Sequence, residues 1–190
     1  LHVSLLSANY SKSFAAGQWL TNREKSGDND KKEGCMEKIN YQSPMGTLMI
    51  VVRGGKIVEI SLKTTKNTND AALQKEPVLL KAMEWLDAYF HQKTLLPLPP
   101  LIPAGTKFQQ AVWQECMLVP WGQTLTYGDL AKRVALRTQK PSMSAQAVGQ
   151  ALSKNPILLM IPCHRIVAKG GIGGFSSGLA LKTFLLEHEQ

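Results

Sequence analysis

The apolar positions change period along the chain. Across residues 46–62, GTLMIVVRGGKIVEISL places two apolar runs on either side of Gly54-Gly55, the pattern of a β-hairpin closed by a glycine-rich turn. From 78 to 90 the spacing becomes helical, with Leu79, Met83, Leu86 and Phe90 on one face. Residues 95–103, LLPLPPLIP, cannot continue that helix and read as an extended connector. Beyond it, Thr106-Lys107-Phe108-Gln109 fits a capping box, in which the Thr hydroxyl and the Gln side chain satisfy free backbone donors, and a helix follows to about Leu118. Pro120-Trp121-Gly122 ends it. Thr126 then caps a second helix with Tyr127, Leu130, Ala131 and Val134 on one side, and Ser144 caps a third, Ala145–Ser153, with Val148, Ala151 and Leu152 inward.

Strands first and helices later predict an α/β N-terminal part followed by a mainly helical C-terminal part. Two short helices in succession fit a helix-turn-helix, but the connector 137–144 is longer than the tight turn of about three or four residues in that motif. Two helices packed in an ordinary core fit equally well. Residues 22–34, NREKSGDNDKKEG, hold almost nothing apolar and read as a disordered linker. The expected organisation is therefore an extension over 1–35, an N-terminal domain with its connector over 36–103, and a C-terminal domain over 104–190.

Charge changes this picture locally. The 190 residues carry a formal net charge of +8, and residues 129–190 alone hold eight Lys and Arg against three Asp and Glu. An excess gathered in one third of a chain is expected where one module meets a polyanion. No apolar run approaches the roughly 20 residues needed to cross a bilayer, and residues 1–19 lack the basic start and continuous apolar core of a secretory signal. Cys35, Cys116 and Cys163 form no CxxC pair and no disulfide framework, so a reducing interior, cytoplasmic or nuclear, is the expected compartment.

Candidate chemistry concentrates in Pro162-Cys163-His164-Arg165. A thiol with an ordinary pKa of about 8.5 is only a few per cent ionised at neutral pH, so a neighbouring base or cation matters to its nucleophilicity. By itself the dipeptide is a weak signal. In extended backbone adjacent side chains point to opposite faces, which leaves Cys163 as an inert small apolar residue and His164 as an unrelated core residue.

The longer context is more specific. FQQAVW, PWGQTLTYGDLA, QAVGQAL, NPILLMIPCHRIV and GGFSSGLALKTFLLEHE, in this order, resemble the O6-alkylguanine-DNA alkyltransferases, and a weaker similarity extends upstream through YQSPMGTLMIVV and EWLDAYF. The resemblance covers about residues 41–189. It implies a ribonuclease H-like sheet in the N-terminal domain and a winged helix-turn-helix C-terminal domain. It also implies direct-reversal repair of double-stranded DNA containing O6-alkylguanine, with one irreversible, stoichiometric alkyl transfer to Cys163 by a monomer. His164 would take the thiol proton through a water, and Glu189 would orient the imidazole. The base must leave the duplex stack, at a cost of roughly a few kcal/mol. Tyr127 would contact the flipped base and its phosphate, and Asn155 would tie the helix pair to the active-site turn. Ser176 would donate toward guanine O6, and the carbonyls of Cys163 and Ile166 would receive the exocyclic amine.

Three departures from the family pattern stand out. Gln146 occupies the position where an arginine usually fills the gap left by the flipped base. The connector 137–144 is longer than usual and would bring Arg137 and Lys140 to the phosphates. Phe175 replaces a frequent tyrosine. No metal and no cofactor is expected, since only Cys35, His2 and His91 could serve as Cys or His ligands in the N-terminal part. A sensor that binds alkylguanine without repairing it is the competing reading. Related sensors replace the cysteine, so Cys163 argues against it. A thiol hydrolase would need an oxyanion hole that no motif provides.

Overall fold

The computed structural model of the protein describes residues 36–64 and 76–190; the linker reading of 22–34 and the 1–35 extension lie outside the described residues. The described chain opens with three antiparallel strands, β1 (Met36–Ser43), β2 (Gly46–Arg53) and β3 (Lys56–Ser61), in the order β1-β2-β3. The hairpin expected over 46–62 is β2–β3. It turns through Gly54 and Gly55 at φ 55° and 70°, a left-handed backbone that glycine adopts without a Cβ penalty. In β1 only Ile39 and Tyr41 are buried, as in an edge strand with one wet face, and so little patterning for a sequence reading to use.

Helix α1 (Pro77–His91) lies against this sheet, with Pro77 in the first turn, where its missing N–H costs nothing. Leu79, Leu86 and Phe90 are buried as the periodicity predicts, whereas Met83 is only half-buried. Ala82, Trp85 and Tyr89 are buried as well, because the helix packs on the sheet along one side and meets Trp121 and His188 along the other.

Two distant segments extend the outer edge of β3. The Ile57 N–H donates to Pro100 O and its carbonyl accepts from the Ile102 N–H, both at 2.9 Å. The Ile60 N–H likewise donates to Pro156 O and its carbonyl accepts from the Leu158 N–H, both at 2.9 Å. The proline-rich connector is thus extended, and Leu101 makes a parallel bridge to the sheet. The second tether fastens the sheet to the segment that delivers Cys163.

The C-terminal part is mainly helical, with α2 (Lys107–Met117), α3 (Tyr127–Arg137), α4 (Ala145–Ser153) and α5 (Leu179–His188). The capping box forms: the Gln109 N–H donates to Thr106 Oγ1 at 3.2 Å, and the Thr106 N–H donates to Gln109 Oε1 at 2.8 Å. Thr126 and Ser144 cap α3 and α4 through their hydroxyls. Trp113 is fully buried at the centre, and its Nε1–H donates to Ala151 O at 3.0 Å, locking α2 to α4. Two short strands, β4 (Leu125–Thr126) and β5 (Ile166–Val167), pair in parallel and set the start of α3 beside the exit of the cysteine turn.

Candidate active site

The buried run from Ile157 to Ile161 ends at Pro162, and Cys163–Arg165 forms one turn of 3₁₀ helix. The turn corrects the extended backbone considered for the dipeptide. With about three residues per turn, successive side chains leave roughly a third of a revolution apart, so three neighbours face three environments. His164 and Arg165 both reach Glu189, while Cys163 reaches Asn155 and a cavity.

Glu189, immediately after α5 and 3% exposed, is the hub. Its Oε1 lies 2.7 Å from His164 Nε2, and it accepts from Tyr89 Oη at 2.8 Å and Arg165 Nη2 at 3.0 Å. Its Oε2 accepts from Arg165 Nε at 2.8 Å and from the Gly122 N–H at 3.4 Å. Gly122 has φ 69°, and a Cβ there would lie 2.9 Å from Glu189 O, so this close approach requires glycine. Burial alone would raise the Glu189 carboxyl, but the hydrogen bonds and charges of His164 and Arg165 prevail and hold it at about 2. An ionised carboxylate accepts, so His164 Nε2 carries its proton toward Glu189 and Nδ1 is the basic nitrogen. His164 is fully buried, which lowers its proton affinity against the pull of Glu189. Its Nδ1 makes no hydrogen bond to the protein among the described residues.

Asn155 Nδ2 donates to Cys163 Sγ at 3.2 Å and to Ile161 O at 2.9 Å, while its Oδ1 accepts from the Ile157 N–H at 3.0 Å. One amide thereby fixes the path of the chain into the turn and places a donor on the sulfur. Burial pushes the Cys163 thiol up, and the Asn155 amide is the largest opposing influence.

Cys163 opens into a cavity of about 340 Å³, walled by Tyr127, Gly149, Leu152, Ser153, Gly174, Phe175 and Ser176. Tyr127 Oη donates to Gly174 O at 2.9 Å, and its ring rests against Gly173, where a Cβ would approach Tyr127 Cε2 to 2.8 Å at φ 72°. Under this wall, Lys182 Nζ donates to Ile166 O at 2.6 Å and Gly174 O at 3.0 Å, with the Tyr127 ring centroid at 5.6 Å.

The structure thus gathers Cys163, His164, Glu189 and Asn155 in one network and Tyr127 and Ser176 around the cavity. Gln146 stands apart, exposed in the first turn of α4. Ile166 is fully buried, does not line the cavity, and already gives its carbonyl to Lys182. The basic excess of residues 129–190 is also partly internal. Arg165 and Lys182 are buried, whereas Arg137, exposed but paired with Glu115 and Gln114, and Lys140, also exposed, stay at the surface. Sequence reasoning missed Lys182 and Tyr89, and it read Arg165 as a cation beside the thiol, whereas the guanidinium pairs with Glu189; in each case the partner lies on another element. Among the described residues no cluster of three His, Cys, Asp or Glu could hold a metal ion, and no helix is long and apolar enough to cross a membrane.

Residues 107–190 match the model of the 6-O-methylguanine DNA methyltransferase DNA-binding domain. The methylated-DNA–protein-cysteine methyltransferase of Saccharolobus islandicus is 45% identical over 151 residues, spanning 78% of this chain and 92% of that protein. The chain belongs to the methylated-DNA–protein-cysteine methyltransferase family. The Haemophilus influenzae member is 37% identical over 79% of this chain and 84% of its own length. Among solved structures, Mycobacterium tuberculosis OGT in complex with DNA superposes with a TM-score of 0.67 at 30% identity, covering 81% of this chain and 91% of that one. For a methyltransferase of this family, a small sheet part and a helical C-terminal part bearing the cysteine turn is the architecture observed.

Proposed function

We propose that the protein repairs double-stranded DNA by one irreversible transfer of an alkyl group, methyl in the simplest case, from guanine O6 to Cys163. The S–C bond forms as the O6–C bond breaks. The electron pair of that bond stays on O6, and the proton lost by the thiol is matched by one taken up by the base, which remains in its strand as guanine. The thiol proton passes through a water to His164 Nδ1. Because the thioether does not turn over, each molecule acts once, as a methylated-DNA–protein-cysteine S-methyltransferase consumed by its substrate. One observation carries the reading: Cys163 faces a cavity while the adjacent His164 has Nε2 fixed on Glu189 and its basic Nδ1 without a partner among the described residues. This is the order of nucleophile, base and orienting carboxylate that covalent catalysis needs.

The cavity suits a planar base with an alkyl group directed at Sγ. Tyr127 and Phe175 supply walls, and the exposed Ser176 hydroxyl donates to the departing oxygen. Within the finer topology we propose, a ribonuclease H-like sheet followed by a winged helix-turn-helix, α3 and α4 form the helix pair and α4 enters the minor groove. Gln146, at its outer end, would follow the flipped base into the stack. Exposed Arg133, Lys140, Lys154 and Lys169 supply phosphate attraction that weakens with salt. The protein acts as a monomer in a reducing, intracellular compartment, cytoplasmic or nuclear.

Incubation with a duplex bearing O6-methylguanine, followed by peptide mapping, tests the transfer. The peptide containing Cys163 is expected to gain one methyl group and Cys116, fully buried, none. A duplex bound without any methyl gain would make the protein a sensor. Gln146→Arg restores a cation at the intercalating position and is expected to tighten duplex binding several-fold at low salt and steepen its salt dependence. Titrations at two salt concentrations check it.

A further inference from the structure

We propose that Tyr89, carried by the N-terminal helix α1, sets the proton affinity of His164 by sharing the Glu189 oxygen on which the imidazole rests. Glu189 Oε1 takes three donors, at 2.7 Å from His164 Nε2, 2.8 Å from Tyr89 Oη and 3.0 Å from Arg165 Nη2. A donor added to a carboxylate oxygen draws off charge and leaves that oxygen a weaker partner for the others. The phenol therefore makes Glu189 less able to hold an imidazolium, and His164 remains neutral, as a base must be, to lower pH.

The phenol is built in. Tyr89 is fully buried, its ring stacks on Trp85 at 5.4 Å and meets Phe90 and Trp121 edge-on, each at 5.0 Å, and its carbonyl lies 2.7 Å from His188 Nε2. It cannot turn to water, and Glu189 is its hydrogen-bond acceptor. Among the described residues, the other titratable or charged groups facing this network are Arg165 and Cys163 from the turn, Lys182 and His188 from α5, and Cys116 from α2. Tyr89 is the one described residue of the N-terminal part that reaches the carboxylate His164 uses, so the sheet and its helix act on the chemistry as well as on the fold.

The inference rests on His164 being the base, and its test separates the two. In the full chain, Tyr89→Phe removes the donor and keeps the ring. Fluorotyrosine at position 89 is a stronger donor of nearly the same shape. Tyr41→Phe is the control, because Tyr41 Oη makes a similar bond to Asp87 on the same helix, at 2.6 Å, away from Glu189. The His164 titration midpoint is read by NMR of labelled imidazole, alongside the pH dependence of single-turnover transfer. Tyr89→Phe is expected to raise the midpoint by about half a unit or more, fluorotyrosine to lower it, and Tyr41→Phe to leave it in place, with the acid limb of the rate moving in step. An unmoved midpoint in Tyr89→Phe, or an equal displacement in Tyr41→Phe, overturns the proposal. A parent rate profile that ignores the imidazole midpoint overturns the base assignment instead, while the midpoints still decide the role of Tyr89.

Discussion

Glu189→Gln is expected to slow single-turnover transfer by roughly two to four orders of magnitude, the range associated with losing a general base or its orienting group. The same change is expected to destabilise the fold by about 3–5 kcal/mol, because Arg165 becomes a buried cation without its counterion. The replacement amide also turns an NH₂ toward donors: it can satisfy His164 Nε2–H or the Arg165 fork with its oxygen, but not both sides as the carboxylate does. Acid sensitivity supplies an independent reading. The folded value of about 2 lies below the ordinary 4.5, so the Glu189 contribution is complete above pH 4.5 and disappears as pH falls toward 2. Integrated over that window it amounts to about 3 kcal/mol. His164, lowered by burial, adds to the loss below its ordinary 6.5, since the unfolded chain then binds the proton more readily. Urea unfolding at pH 7, 4.5 and 3 should show a steep parent decline whose lower part is flattened in Glu189→Gln. Equal slopes would place the stabilising charge elsewhere.

Asn155→Leu is the second large effect. It leaves the buried Ile157 N–H without its acceptor and takes one of two donors from Ile161 O, which also accepts from the Cys163 N–H at 2.8 Å. An unsatisfied buried donor costs about 1–3 kcal/mol, so a loss of about 2–3 kcal/mol in chemical denaturation is expected. At the thiol the consequence is chemical. Without the amide on Sγ, burial acts with less opposition and the thiolate becomes scarcer. Alkylation of Cys163 by iodoacetamide at neutral pH is expected to fall about tenfold, with its pH midpoint displaced upward. Peptide mapping separates it from Cys116. Unchanged reactivity would show that the amide serves the backbone alone.

How much of this could be read in advance depended on range. The caps at Thr106, Thr126 and Ser144 are written within three residues, and the helices begin where those residues place them. The β2–β3 hairpin was equally local. Strand β1 was obscure because an edge strand with two buried side chains carries little periodicity. Cys163, His164 and Glu189 entered through the family motifs rather than from spacing, since 25 positions separate the imidazole from its carboxylate. Lys182 in LALKTFLLEHE has the look of a solvent-facing helix residue; it is buried because Ile166 and Gly174 turn carbonyls toward it. Arg165 reads in sequence as a cation beside the thiol and is a counterion to Glu189. Tyr89 gave no local sign at all, since its role exists only after two distant parts of the chain meet.

That meeting bears on the order in which the molecule can assemble. Tyr89 and Glu189 are 100 residues apart in sequence, and the bridge from Ile60 to Ile157 spans almost as many. Such non-local contacts raise the contact order, and the loop-closure entropy they consume must be met before they return any stability. The capped helices can form from their own few residues, but no short stretch of chain contains the surroundings of Cys163. The Cys163 thiol acquires its buried, hydrogen-bonded state only as folding reaches completion, and an incomplete chain carries the cysteine without the surroundings that tune it.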